Sequence, residues 1–358
     1  VKKSIVSLLI ILCFGLRLIS ASDTTKTEPF LGISISDDML NYLNNLEYFN
    51  KYRDGYLYLG AHNKLRLEYQ PIQQFRFSLG LFTRKAYGDK KFLSDIRPIF
   101  RAEYMLGNYS VILGELYSDN RHSLPDAIYR EQRTYEPGIE EGVQILYRGT
   151  LFSTDTWGRY DALNTPSHKE NLGVGSVNFL HLKPFRLAAM VHWEHFGGHQ
   201  YDPPNDPMRD NVTGCGGIGF THTYAGKIFR EWGAEEYILV SATNPNRSKD
   251  HFHKGWGTMS RAWINIFGFN ASALFYKGKN FQTWQGNRMY ETNKPYWHIQ
   301  LDHKTEFLNY FFFDWGFRLD FVDIKPQEYF DKTENQVWVE MGCHFEKKLF
   351  RQVTTRKE

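Results

Sequence analysis

From Asp54 onward the chain keeps a period of two, and that alternation limits what it can fold into more than any other feature. In 307–323, FLNYFFFDWGFRLDFVD, the odd positions include Phe311, Phe313, Trp315, Phe317, Leu319 and Phe321, and the even ones Asp314, Gly316, Arg318 and Asp320. The same division recurs in 54–69, where Leu57, Leu59, Leu65 and Leu67 oppose His62, Lys64, Arg66 and Glu68. It recurs in 75–84, 96–104, 139–148 and 185–195. Side chains alternate between faces only in an extended strand, so the chain is read as all-β from about residue 54 to 346.

Further strand-like segments fall at 109–118, 150–161, 171–182, 212–224, 228–241, 256–266, 268–277, 295–305 and 336–346. Most are about ten residues long, the length of a tilted membrane-spanning strand. A soluble sandwich also alternates, but its outward face is usually freely solvated Lys, Glu, Thr and Ser. Here the polar face holds Arg, Glu, His, Asn, Gly and Gln, opposite a face of Phe, Tyr and Trp. Aromatics form 16% of the chain although its mean hydropathy is -0.50, a mixture that fits alternate residues facing lipid and water. Backbone groups in lipid must all be paired, so such strands close on themselves. The expected fold is a closed antiparallel transmembrane β-barrel of about fourteen strands, within a range of twelve to sixteen.

The first residues read as a secretory signal: Lys2 and Lys3, then SIVSLLIILCFG, then a small-residue site at Ile19-Ser20-Ala21. The expected organisation is a signal over 1–21, an N-terminal periplasmic segment over 22–53, the barrel over 54–346 and a tail over 347–358. The stretch 37–52, DDMLNYLNNLEYFNKY, reads as a short helix ahead of the first strand. Cys215 and Cys343 lie in distant strand segments and read as small apolar fillers, with one disulfide as the alternative.

With signal, strand length and alternation together, the chain resembles a Gram-negative bacterial outer-membrane β-barrel protein, porin- or exporter-like. Val337, Val339, Met341, Cys343 and Phe345 resemble the alternating last strand of that class, ending on an aromatic, although thirteen residues follow Phe345. The resemblance implies the outer membrane as location. It implies its lipids and lipopolysaccharide, together with the barrel assembly machinery, as partners.

Charged residues on the polar face are the candidate solute path: Arg66, Glu68, Arg76, Arg97, Arg101, Glu103, Arg148, Arg186, Glu194, Arg261, Asp314, Arg318 and Asp320, with Glu140 and Glu340 of the same kind. They can line a route for small polar or anionic solutes, or for export of an anionic polymer. They can equally satisfy one another across neighbouring strands. Long gaps at 119–138, 197–210, 243–255 and 278–294 are loops that fold inward or cap the barrel.

No catalytic set is assigned from sequence. His192 and Glu194 share the polar face as a possible base and orienting acid, and no G-x-S-x-G elbow or glycine-rich phosphate loop occurs. An enzyme acting on lipid or lipopolysaccharide is the alternative and needs its machinery near the lipid-facing rim; a plugged structural or adhesin barrel is the third reading. His192, His195 and His199 in HWEHFGGH lie on a strand, where 192 and 195 face apart. Together with His251 and His253 they give no clear metal set, and no cofactor is expected. The net charge of +3, without a basic block, gives no support to nucleic-acid binding.

Overall fold

The computed structural model describes residues 31–351 apart from 137, 199, 202–204, 227 and 324–333. The proposed signal, residues 22–30 and the last seven residues therefore lie outside the described residues. Sixteen strands form one closed antiparallel barrel in which each pairs with its sequence neighbours and β1 pairs with β16. The strands are β1 (Gly32–Phe49), β2 (Asp54–Ile72), β3 (Phe75–Ala86), β4 (Asp95–Leu106), β5 (Tyr109–Glu115), β6 (Glu141–Arg148), β7 (Phe152–Ala162) and β8 (Glu170–Leu182). They continue as β9 (Phe185–Gly197), β10 (Arg209–Thr223), β11 (Phe229–Asn244), β12 (His253–Ile266), β13 (Phe269–Lys279), β14 (Tyr296–Phe307), β15 (Phe311–Val322) and β16 (Glu334–Arg351).

The alternation holds on the wall. On β15, Gly316, Arg318, Asp320 and Val322 are buried toward the lumen, while Phe313 and Phe317 are exposed. Two expectations need correction. The strand number is sixteen, not about fourteen, and the stretch read as a short helix is most of β1. The cause is the same for both. Every segment assigned from residue 54 onward is a strand, and β1 is the one left out because its inward face is apolar where loops cover it. Leu40, Tyr42, Leu46 and Tyr48 point inward and are buried, while Ile33, Ile35 and Leu43 point outward. The outward row also holds Asp37, Asn41, Asn45 and Glu47, and the inward row Ser34, Ser36 and Asn44, so polar and apolar residues mix on both faces and the period of two disappears. The barrel consequently runs from 32 to 351, and 347–351 belong to β16 rather than to a tail.

The two ends of the barrel differ. Tight connections at 73–74, 107–108, 149–151, 183–184, 267–268 and 308–310 share one end with both strand termini. The other end carries the long connections 87–94, 116–140, 198–208, 245–252 and 280–295. Outer-membrane barrels place short turns in the periplasm and long loops outside, which orients the molecule. Cys215 is buried and Cys343 half-buried, and both are free thiols.

Loop 116–140 turns inward because its strand stops early. β5 has seven residues, while β4 runs on beyond the Arg101–Gly114 pair to Asp95. At Gly114 the backbone takes φ +95°, and a Cβ there would sit 2.1 Å from the Phe100 carbonyl oxygen. This left-handed step breaks the alternation, so Glu115 follows Ile112 into the lumen. On β8, Gly175 leaves the space that the Trp157 ring fills, its absent Cβ falling 2.2 Å from the ring. Gly175→Val is expected to cost about 1–3 kcal/mol by overpacking, read as a lower melting temperature in detergent. An unchanged melt would show that the ring relocates freely.

Candidate functional site

The lumen is occupied by two loops that reach the wall nearly all the way round. From loop 116–140, Tyr117 donates to Glu103 on β4 (3.0 Å) and Asp119 accepts from Lys64 on β2 (2.6 Å). Glu131 accepts from Arg318 on β15 (3.2 Å). The Tyr135 hydroxyl donates to Glu340 on β16 (2.5 Å) and accepts from Asn44 on β1 (3.0 Å). Loop 280–295 continues the ring: Gln285 donates to Glu194 on β9 (2.7 Å), Asn211 on β10 donates to the Gln282 carbonyl (3.2 Å), and the Gln282 amide donates to Ser241 on β11 (3.0 Å). Tyr290 packs edge-on against Tyr276 on β13 and Tyr296 on β14. The loops join where the Arg130 amide donates to the Gln285 carbonyl (2.9 Å) and Asn287 donates to Asp126 (2.8 Å). Leu124, Ala127, Ile128, Phe281, Met289 and Tyr290 are buried in the resulting core.

At the centre of this plug His122 stacks on Trp157, with ring centroids 3.7 Å apart, and its two ring nitrogens meet Asp155 (2.8 Å) and Glu140 (3.1 Å). Tyr129 also donates to Glu140. Burial opposes charge on the His122 imidazole, but the hydrogen bonds to Asp155 and Glu140 outweigh it and raise its pKa. Burial likewise opposes ionisation of Glu140, and the hydrogen bond from His122 with the Arg159 charge overcomes it, leaving Glu140 at about 2. The raised His122 pKa contributes stability that is complete below the unfolded value and lost as pH rises through the folded one. The depressed Glu140 pKa contributes above its unfolded value and is lost as pH falls toward 2. Amide hydrogen exchange at Leu124 and Ile128 is therefore expected to quicken, after correction for intrinsic rates, once pH passes above the ordinary histidine range. Flat protection would mean that the imidazolium does not anchor the loop.

The charged residues singled out from sequence lie on the inward face, mostly in ion pairs. Arg66 meets Glu115 (2.6 Å) and Asp38 (2.5 Å); Arg101 meets Glu115 (3.1 Å). Arg318 meets Asp320 (3.1 Å), and Arg76 stands 3.8 Å from Glu103. Glu68 accepts from Ser36, Asp314 accepts from Trp338, and Glu194 binds Arg159 (2.6 Å). Arg186 and Arg261 flank Glu235 at 3.4 and 3.6 Å toward the short-turn end. Arg97 pairs with Asp95 (2.7 Å), and Arg148 lies exposed at the last position of β6. The sequence reading passed over Glu115, Glu131 and Arg159. Arg159 was within reach, since it shares a strand face with Trp157 and Asp161 in WGRYD; Glu115 was hidden by the break at Gly114.

A second constellation lies on the outside of the wall, at the long-loop end. His195 on β9 and Asp210 on β10 are directly opposed. They belong to the outward face: Val191, on the same side of β9, and Ile238 and Val240 on the neighbouring β11 are exposed. The His195 Nδ1 is 2.7 Å from Asp210 Oδ1, which also accepts from the Trp193 indole (3.0 Å). Arg247, half-exposed in the loop after β11, holds the other oxygen at 3.1 Å and is itself fixed by its amide on the Met208 carbonyl (2.8 Å). Gly197 leaves room beside the ring, since a Cβ there would fall 2.0 Å from His195 Nε2. A carboxylate on Nδ1 fixes the imidazole orientation and leaves Nε2 to accept a proton. His192, two strand positions away from Glu194, faces the lumen and not this site. His199 lies outside the described residues.

A closed sixteen-strand barrel with an apolar exterior, aromatic rows and long loops at one end defines an outer-membrane β-barrel protein. Solved outer-membrane structures agree in fold. A loop L8 deletion mutant of OmpT, an outer membrane protein of Vibrio cholerae, matches with TM-score 0.55 at 8% identity, covering 87% of this chain and 99% of that one. Acinetobacter baumannii OccAB2 matches at 0.53 and 9%, covering 89% and 99%. Salmonella typhi OmpF in complex with daunomycin matches at 0.51 and 13%, covering 87% and 97%. No curated protein matches in sequence. The chain belongs to the family described as lipid A 3'-O-deacylase-type, which matches residues 26–345.

Proposed function

We propose that the protein hydrolyses an ester-linked acyl chain of a lipid A-type glycolipid in the outer leaflet. The observation that carries this reading is the His195–Asp210 pair on the lipid-facing wall at the long-loop end, where such a substrate resides. Family membership supports the same chemistry. A diffusion channel has less support, because the charges that would line its path are paired with one another and with the two inward loops.

The reaction needs one base and one site for the oxyanion. His195 Nε2 takes a proton from water, whose oxygen attacks the ester carbonyl. Asp210 holds Nδ1–H and stabilises the imidazolium that forms. Arg247, which contacts Asp210 through Nε, is assigned to donate from its other guanidinium nitrogens to the developing oxyanion. Collapse breaks the bond to the sugar oxygen, which leaves with the proton from His195, giving a fatty acid and a free hydroxyl. The test is to incubate the folded full chain with diphosphorylated lipid A in mixed micelles and follow the lipid by mass spectrometry. Loss of one acyl mass supports the proposal; an unchanged lipid beside an active control deacylase sinks it.

A further inference from the structure

Three lysines stand close together on the outward face near the long-loop end of β12 and β13. Lys277 and Lys279 alternate with inward, buried Tyr276 and Gly278. Lys254 and Trp256 alternate with buried Gly255 and Gly257 on β12. The register sets Trp256 opposite Lys279 and Thr258 opposite Lys277, with Lys254 the next outward residue up the strand. Neighbouring strands lie about 4.8 Å apart and same-face residues about 6.6 Å apart, so the three lysines fall within a patch roughly 14 Å long, with Lys279 level between Lys254 and Lys277. All three side chains are exposed, and among the described residues none makes an ion pair. The outward acid on the adjoining strand, Glu236, lies opposite Ser260, further toward the short-turn end than Thr258.

Cations on the lipid-facing side of a barrel lose hydration without gaining a protein partner, so they persist where a membrane anion meets them. Trp256, 53% exposed, sets the depth, because an indole prefers the interface between hydrocarbon and headgroups. We infer that Lys254, Lys277 and Lys279 bind a phosphate group of an outer-leaflet glycolipid. The patch lies two to three strands from Asp210, about 10–14 Å around the wall. A phosphorylated disaccharide held there can present an acyl ester to His195. Binding itself does not depend on hydrolysis, so it is tested in protein that lacks the base.

The experiment uses the full chain carrying His195→Asn, folded in detergent. Native mass spectrometry measures bound diphosphorylated lipid A, bound dephosphorylated lipid A and competition by inorganic phosphate. Each charge near an anionic headgroup is worth several-fold in affinity, so Lys254→Ala/Lys277→Ala/Lys279→Ala is expected to weaken binding about a hundredfold. The corresponding triple Arg variant should retain it, which separates loss of charge from misfolding. Dephosphorylated lipid should bind no better to the unaltered patch than to the triple Ala variant. Equal binding by the Ala variant, equal binding of the dephosphorylated lipid, or displacement by millimolar inorganic phosphate would each overturn the inference.

Discussion

His195→Asn is expected to lower the deacylation rate by about 10²–10⁴-fold, the usual contribution of a positioned general base. The asparagine retains a polar group that can reach Asp210 but cannot take a proton from water. Asp210→Asn is expected to act in the same direction by loosening the imidazole, which Asp210 Oδ1 holds at 2.7 Å. His192→Asn is the matched control: His192 is a buried lumen histidine beside Tyr129 and Trp157, so its loss should change melting more than turnover. Equal activity of His195→Asn and unaltered protein would remove the outer-face dyad from the reaction.

A second large effect is expected in planar bilayers. The intact protein should show no stable open steps, because loops 116–140 and 280–295 bond to one another and to strands around the wall. Replacing 119–136 by a short Gly/Ser bridge should open a sixteen-strand lumen and give steady conductance, as wide barrels do when nothing fills them. A milder variant guards against failed assembly. Arg318→Ala leaves Asp320 buried without its guanidinium and frees Glu131, a change costing about 3–5 kcal/mol by the precedent of broken buried pairs. It should produce intermittent openings. Steady conductance in the unaltered protein would restore the diffusion channel as the better account.

The wall was legible in the sequence, whereas the plug and the outer-face dyad were not. Alternation exposed the strands from β2 to β16 because lipid on one side and charge on the other keep the two faces chemically distinct. It failed on β1, where Leu40, Tyr42, Leu46 and Tyr48 pack under the inward loop while Asp37, Asn41, Asn45 and Glu47 stand on the outward row, so neither side is chemically distinct. Periodicity also placed His195 on the side of the strand opposite His192, but it cannot say which residue faces it on the next strand. Only the β9–β10 register puts Asp210 there, and Arg247 reaches the pair from a loop that carries no period at all. The plug is illegible for the same reason: its order comes from Tyr, Gln, Asp and Glu side chains finding partners across the barrel.

The hydrogen bonds of Tyr135 bear on how the barrel comes together. Asn44 and Glu340 lie on β1 and β16, the two strands furthest apart in the chain, and their pairing completes the cylinder. One phenol in the loop between β5 and β6 thus straddles the seam from within. Closure and loop docking become a single cooperative event, and the seam carries a latch. Rupture of the cylinder at this edge must first extract a buried aromatic held to both strands, so persistence in the membrane rests on a high barrier to opening as well as on equilibrium stability.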